Sequence, residues 1–137
     1  MTLREEALSL FQKVRKLELA SQHNGYVQCP YCRKWIRVED SVAVHFIPRQ
    51  YRSLEVEQMN VYAGCAFCNG QDQMQSNNGE MHDRFEFWIR ENYGDWTVEW
   101  LYNRKRVIVK HGSRYYKDLI EDLKRRLKAY GKEKEEL

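Results

Sequence analysis

The four cysteines of this 137-residue chain fall as two pairs, Cys29-Pro-Tyr-Cys32 and Cys65-Ala-Phe-Cys68, with 32 residues between them. Two CxxC turns at that separation fit one tetrahedral four-thiolate zinc site, because each short turn aims two sulfurs at one ion. Four thiolates close the coordination shell, so such a zinc holds structure and does no chemistry of its own. Paired disulfides and unrelated thiols are the alternatives. A reducing cytosol disfavours the first, and a redox CxxC would need only one pair. Tyr31 and Phe67, inside the two turns, are expected to pack beside the metal and exclude water.

A chain of this length holds one compact domain, or one domain with a helical appendage. With 42% hydrophobic and 13% aromatic residues it can bury a core, which excludes a disordered chain. No apolar run approaches the roughly 18 residues of a membrane span, and the opening MTLREEALSLFQKVRK does not read as a signal peptide. The expectation is a cytoplasmic protein with no membrane partner. The net charge of +3 averages unlike regions. Residues 71–103 hold two basic and seven acidic residues, whereas residues 104–137 hold twelve basic and six acidic. A basic tail beside an acidic waist suits a phosphate-contacting arm, and equally a solvated amphipathic helix.

Residues 2 to about 20 read as an amphipathic helix. Thr2 and Glu5 stand at capping-box spacing, and Leu3, Ala7, Leu10, Phe11, Val14 and Leu17 recur at helical intervals. From Tyr26 to about Phe46 the pattern favours strands, with Pro48 ending the last run. A polar connection follows, then a short segment Asn60-Val-Tyr62 that leads into the second cysteine pair. Residues 69–80, polar and rich in Gly and Asn, read as a loop or a frayed helix start. A helix is expected from about Met81 to Asn92, ending at Tyr93-Gly94. A short element begins near Trp96, and a final helix runs from about Arg114 to Tyr130.

His45, Asn60 and Asn69 lie between and just after the cysteine pairs. An imidazole titrates near pH 6.5 and can take a proton from water at neutral pH. An amide oxygen suits Mg2+, a hard ion that prefers oxygen. Asn69, next to Cys68, is the candidate ligand for such an ion, and Asn60 the residue that orients the imidazole or the loop. His45 could instead be a core histidine, and both asparagines turn residues. His23, His82 and His111 lack partners at ligand spacing.

The order of cysteine pair, strand ending in His, Asn, cysteine pair and Asn resembles the ββα-metal (HNH, or His-Me finger) nucleases. More narrowly, His45-Phe-Ile-Pro-Arg49, Leu54, Asn60, Cys65-x-x-Cys68-Asn69, Trp88-Ile-Arg-Glu-Asn-Tyr-Gly94 and Val98-Glu-Trp-Leu101 resemble the NinG (Rap) recombination proteins of lambdoid phages. The resemblance spans roughly residues 26–130, and the layout is also similar to phage endonuclease VII. It implies a structure-selective endonuclease that cleaves branched DNA, with His45 activating water and Asn69 binding the catalytic metal. Val44 stands where many His-Me nucleases carry a metal-binding Asp and NinG-like proteins a Gly. Tyr62 stands where that family tends to have His, and Gly79-Glu80 where it tends to have Gly-Asn. Asp40 and Glu80 are candidates for a replacement carboxylate.

The expected fold is α+β: a small zinc-braced ββα-metal finger with flanking N- and C-terminal helices. Its parts would be an N-terminal amphipathic helix (1–24), a zinc-containing nuclease-like domain (25–103) and a basic helical extension (104–137). Structural Zn2+ would sit on Cys29, Cys32, Cys65 and Cys68, with catalytic Mg2+ or Mn2+ held in part by Asn69. Arg33, Lys34, Arg49, Arg52, Arg104, Lys105 and Arg106 are the candidate DNA contacts, and Tyr51 a candidate base-stacking residue. Expected partners are branched DNA and a second copy forming a homodimer, with a phage protein in the bacterial cytoplasm as the setting. The alternative is a catalytically degenerate zinc finger that binds DNA or a host protein, the latter through the acidic 71–103 segment.

Overall fold

The structure, a computed structural model, describes residues 1–74 and 79–136. Among them are five helices and two small antiparallel sheets, an α+β arrangement. Helix α1 (Leu3–Ser21) starts where expected: the Thr2 hydroxyl accepts from the Glu5 amide, and the Glu5 carboxylate accepts from the Thr2 amide. Strands β1 (Tyr26–Gln28) and β2 (Trp35–Arg37) pair around the first cysteine turn, Gln28 opposite Trp35. Strands β3 (Val42–His45) and β4 (Val61–Gly64) form the second ribbon, with Val44 opposite Tyr62 and His45 opposite Val61.

Helix α2 (Ala66–Gln73) follows β4 directly. The polar 69–80 stretch is therefore helical through Gln73, and the part of that loop expectation at 75–78 lies outside the described residues. The helix starts because Cys65, held in the cysteine turn, takes the extended N-cap conformation, and its carbonyl accepts the first helical bond from Asn69. Helices α3 (Glu80–Tyr93) and α4 (Asp95–Lys105) share Gly94, whose φ of 92° lets it end one helix and begin the next. Helix α5 (Ser113–Glu136) is longer than expected and closes the chain.

Alternation along the β3–β4 ribbon divides its two faces. Val44 and Tyr62 point into the main core with Phe46, Phe85, Trp88, Ile89 and Leu101. The ring of Tyr62 meets Phe85, Trp88 and Tyr93, and its hydroxyl donates to the Met59 carbonyl at 2.6 Å. Val44 and Tyr62 are thus core residues, fully buried on the inner face of the ribbon. On the other side α1 and α5 pack together, with Phe11, Val14, Val61 and Leu123 in one cluster and Ala7, Tyr116 and Ile120 in another. The apolar stripes of the two terminal helices are therefore buried within the chain. No helix among the described residues is long and apolar enough to cross a membrane.

Candidate metal centre and adjoining cleft

The four cysteine sulfurs lie within 4.8 Å of one another. Cys65 Sγ is 3.7 Å from Cys29 Sγ and 4.0 Å from Cys32 Sγ. A disulfide needs about 2.05 Å, so the cysteines are free thiols. A tetrahedron with Zn–S bonds of about 2.3 Å has edges of about 3.8 Å, and the observed spacings match that figure. The donor set fits a metal such as zinc. Burial pushes the Cys29 and Cys68 thiols up. At Cys65 burial acts the same way, but hydrogen bonds with Cys68, Cys29 and Cys32 outweigh it and lower the thiol. A bound dication is what would let all four ionise together.

Two backbone details make the clasp. Arg33 turns the chain with φ of 65°, which lets its amide donate to the Cys29 carbonyl at 2.8 Å. Gly64 passes so close to the first pair that a Cβ there would lie 3.2 Å from Pro30 Cδ and 3.3 Å from Cys29 Sγ. Tyr31 is buried edge-on against Phe85, and its hydroxyl donates to Asp72 at 2.7 Å. Phe67 does not pack as a water-excluding residue, being 75% exposed. It lies in the first turn of α2 on the solvent side.

Beside the clasp lies an open cleft of about 900 Å3, and it brings His45 and Asn69 together. Ala43 and His45 reach it from β3, Asn69 and Gln73 from successive turns of α2, and Arg4, Glu5 and Gln12 from α1. The imidazole is mostly covered, and its Nε2 lies 3.1 Å from the Glu55 carbonyl oxygen. A carbonyl only accepts, so Nε2 carries the hydrogen and Nδ1 keeps the free lone pair. Desolvation is the main influence on this ring and Arg49 adds to it. Together they outweigh the Glu55 carbonyl and carboxylate and bring the imidazole below its ordinary 6.5. His45 is a neutral base at pH 7.

Asn60 does not face the cleft. It is fully buried, and its Oδ1 accepts from the Ile47 amide at 2.7 Å. Its Nδ2 donates to the Ile47 and Leu54 carbonyls at 2.9 and 3.1 Å. It staples the 47–54 loop, and that loop delivers both Arg49 and Arg52 to the cleft rim. Lys105 Nζ sits 4.6 Å over the Tyr51 ring, and Ser53 Oγ donates to the Arg104 carbonyl, so the start of the basic stretch docks on the same loop. Arg106 follows at the exposed end of α4.

Arg33 and Lys34 lie elsewhere. Arg33 pairs with Glu91 at 2.8 Å and covers the Phe87 ring, beside a separate groove, and Lys34 is exposed. Asp40 is exposed at the end of a 3-10 turn and Glu80 pairs with Arg84, and neither carboxylate lines the cleft. Among the described residues lining it, Glu5 is the carboxylate. The sequence reading missed Glu5, Arg4, Gln73 and the buried Glu55. Only Gln73, one helical turn beyond Asn69, carried a periodic signal that could have found it. His82 stacks on Phe46 at 4.6 Å and His111 on Tyr115 at 3.7 Å, ordinary packing roles.

Set against protein-family models, curated proteins and solved structures, the chain has no match.

Proposed function

We propose that the chain is a metal-dependent DNA endonuclease of the ββα-metal class, acting on branched DNA of the kind formed in recombination. In this reading β3, β4 and α2 are the finger and the four-cysteine clasp is its structural zinc site. The observation that carries it is the convergence of His45 and Asn69, 24 positions apart, on one cleft rimmed by Arg4, Arg49 and Arg52. His45 Nδ1 accepts a proton from water, which attacks the phosphorus of the scissile phosphodiester. The fixed Nε2–H···O=C bond to Glu55 holds the ring in the tautomer this requires. Arg49 and Arg52 hold flanking phosphates.

A hard oxygen donor on the cleft wall fits a divalent cation. Asn69 would bind Mg2+ or Mn2+ through its amide oxygen, with substrate phosphate completing the shell. When bound, such an ion offsets charge on the phosphate and the leaving 3′ oxygen. The products would carry 5′-phosphate and 3′-hydroxyl ends. The apolar stripes of α1 and α5 are spent inside the chain, so a homodimer on a two-fold junction would use another face.

The test is nicking of a four-way junction in Mg2+ by wild type and His45→Ala. The expected result is nicking by wild type and a loss of about 100-fold or more in the variant. Equal rates would remove His45 from the reaction. A second reading, a zinc-braced DNA- or protein-binding module without catalysis, draws support from the buried Val44, which puts no carboxylate beside His45. Retained DNA affinity with no Mn2+ binding and no nicking would favour it.

A further inference from the structure

The least expected group in the molecule is the Glu55 carboxylate, a fully buried acid in a loop. Burying a carboxylate is costly unless it is paired and hydrogen-bonded. This one is hydrogen-bonded from both terminal helices, one donor to each oxygen. Arg4 Nε of α1 donates to Oε2 at 2.8 Å, and the Tyr116 hydroxyl of α5 donates to Oε1 at 2.7 Å. The same residue's backbone carbonyl is the group 3.1 Å from His45 Nε2. Arg4 ties the loop a second time, its Nη2 donating to the Arg49 carbonyl at 3.5 Å.

We infer that Glu55 is a positioning residue for His45: α1 and α5 clamp its carboxylate, and its carbonyl thereby holds the imidazole in one orientation and one tautomer. The inference rests on the reading of His45 as the base but concerns the ring itself, so it can be tested without DNA. Its local logic is economical. A residue anchored by two side-chain hydrogen bonds has little freedom to rotate its peptide plane. The carbonyl direction at 55 is then set by the docking of α1 and α5, whose Ala7, Tyr116 and Ile120 share a cluster close by. Neither Glu55 nor Tyr116 itself lines the cleft, but each touches a cleft arginine, Glu55 through Arg4 and Tyr116 through Arg52, so the imidazole and not DNA binding is the readout. Arg4 does line it, and is unsuited to the test for that reason.

The experiment is 15N NMR of the imidazoles in zinc-loaded protein labelled at histidine, at a pH where His45 is neutral. His45 is assigned by its absence from His45→Gln. Wild type should show a single Nε2–H form. Tyr116→Phe and Glu55→Met should both shift His45 toward a mixture of the two tautomers. Glu55→Gln should restore the wild-type pattern, since its amide oxygen can accept from Arg4 while its NH2 donates to the Tyr116 oxygen. The Co2+-substituted absorption spectrum should be the same in all four, which shows that the cysteine clasp is intact. Nicking by Tyr116→Phe should fall about tenfold. Wild-type imidazole shifts in folded Tyr116→Phe and Glu55→Met would overturn the inference. If Glu55→Met fails to fold, Tyr116→Phe decides alone, since it deletes one hydroxyl and keeps the ion pair. If wild type does not nick, the nuclease reading fails, and the imidazole shifts still decide the role of Glu55.

Discussion

His45 illustrates how much one side chain's surroundings decide. Desolvation, aided by Arg49, lowers its pKa below 6.5, so the folded protein takes up this proton less readily than the unfolded chain. Stability from this group is full above about pH 6.5 and falls as the pH drops from there toward the folded-state pKa. Urea midpoints at pH 7.5 and 5.5 should therefore differ less in His45→Gln than in wild type. For the proposed reaction, which needs the neutral ring, the rate should be flat near pH 7 and decline only in more acidic solution. Asn60 makes three buried hydrogen bonds to the 47–54 loop. Asn60→Ala should cost about 2–4 kcal/mol, read as a lowered urea midpoint. The sequence supplied His45, Asn69 and the cysteines by type and spacing. Asn60 was read as orienting the imidazole or the loop, and its bonds go to the loop alone; that it stands outside the cleft while Asn69 lines it could not be told, because both are short amides beside turns. Only burial distinguishes them. Glu55 was invisible for the same reason, since nothing local marks a buried acid whose partners lie 51 and 61 positions away.

Among the elements, α1, α3 and the end of α3 at Gly94 were legible because each carries its own periodicity or cap. Helix α2 was not. Its residues Cys68-Asn-Gly-Gln-Asp-Gln73 have no apolar stripe, and the cysteine turn, with Tyr31 pairing to Asp72, imposes the helix from outside. A metal held by the clasp would tie α2 down, so its removal should unwind α2 first. Chelation should lower thermal stability and raise hydrogen exchange at the amides of Asn69 to Gln73 more than at those of α3. Cys68→Ser should reproduce this without a chelator. Helix α5 is held by packing, with Leu123 fully buried against Phe11, Val14 and Val61. Leu123→Ala should cost about 2–5 kcal/mol, measurable by denaturant unfolding, with the Co2+ spectrum of the clasp unchanged.

Across the whole molecule, charge is unevenly distributed. The Arg49–Arg52 loop carries the start of the basic stretch beside the cleft, while Arg90 is ringed by Glu86, Asp95 and Glu99 on α3 and α4. The total of +3 conceals this division. If the basic side meets DNA, Arg49→Gln and Arg52→Gln should each reduce the slope of log affinity against log salt by about 1. Arg33→Gln, already paired with Glu91, should leave the slope nearly unchanged. Fluorescence anisotropy at several salt concentrations would separate the three.

The β3–β4 ribbon has only two strands, and Gly64 at its end is wedged against Pro30 and Cys29. Sliding β3 by a single residue would send Val44 to the cleft and bury the imidazole in the core. The close approach at Gly64 ties the end of β4 to the first cysteine turn, and the alternation of buried and cleft-facing residues along β3 specifies the register. Most of the regular structure lies in helices, so a misaligned preparation would give a near-normal circular dichroism spectrum. Helical content is therefore a poor certificate of a correctly assembled sample. The resonance of His45 is a better one.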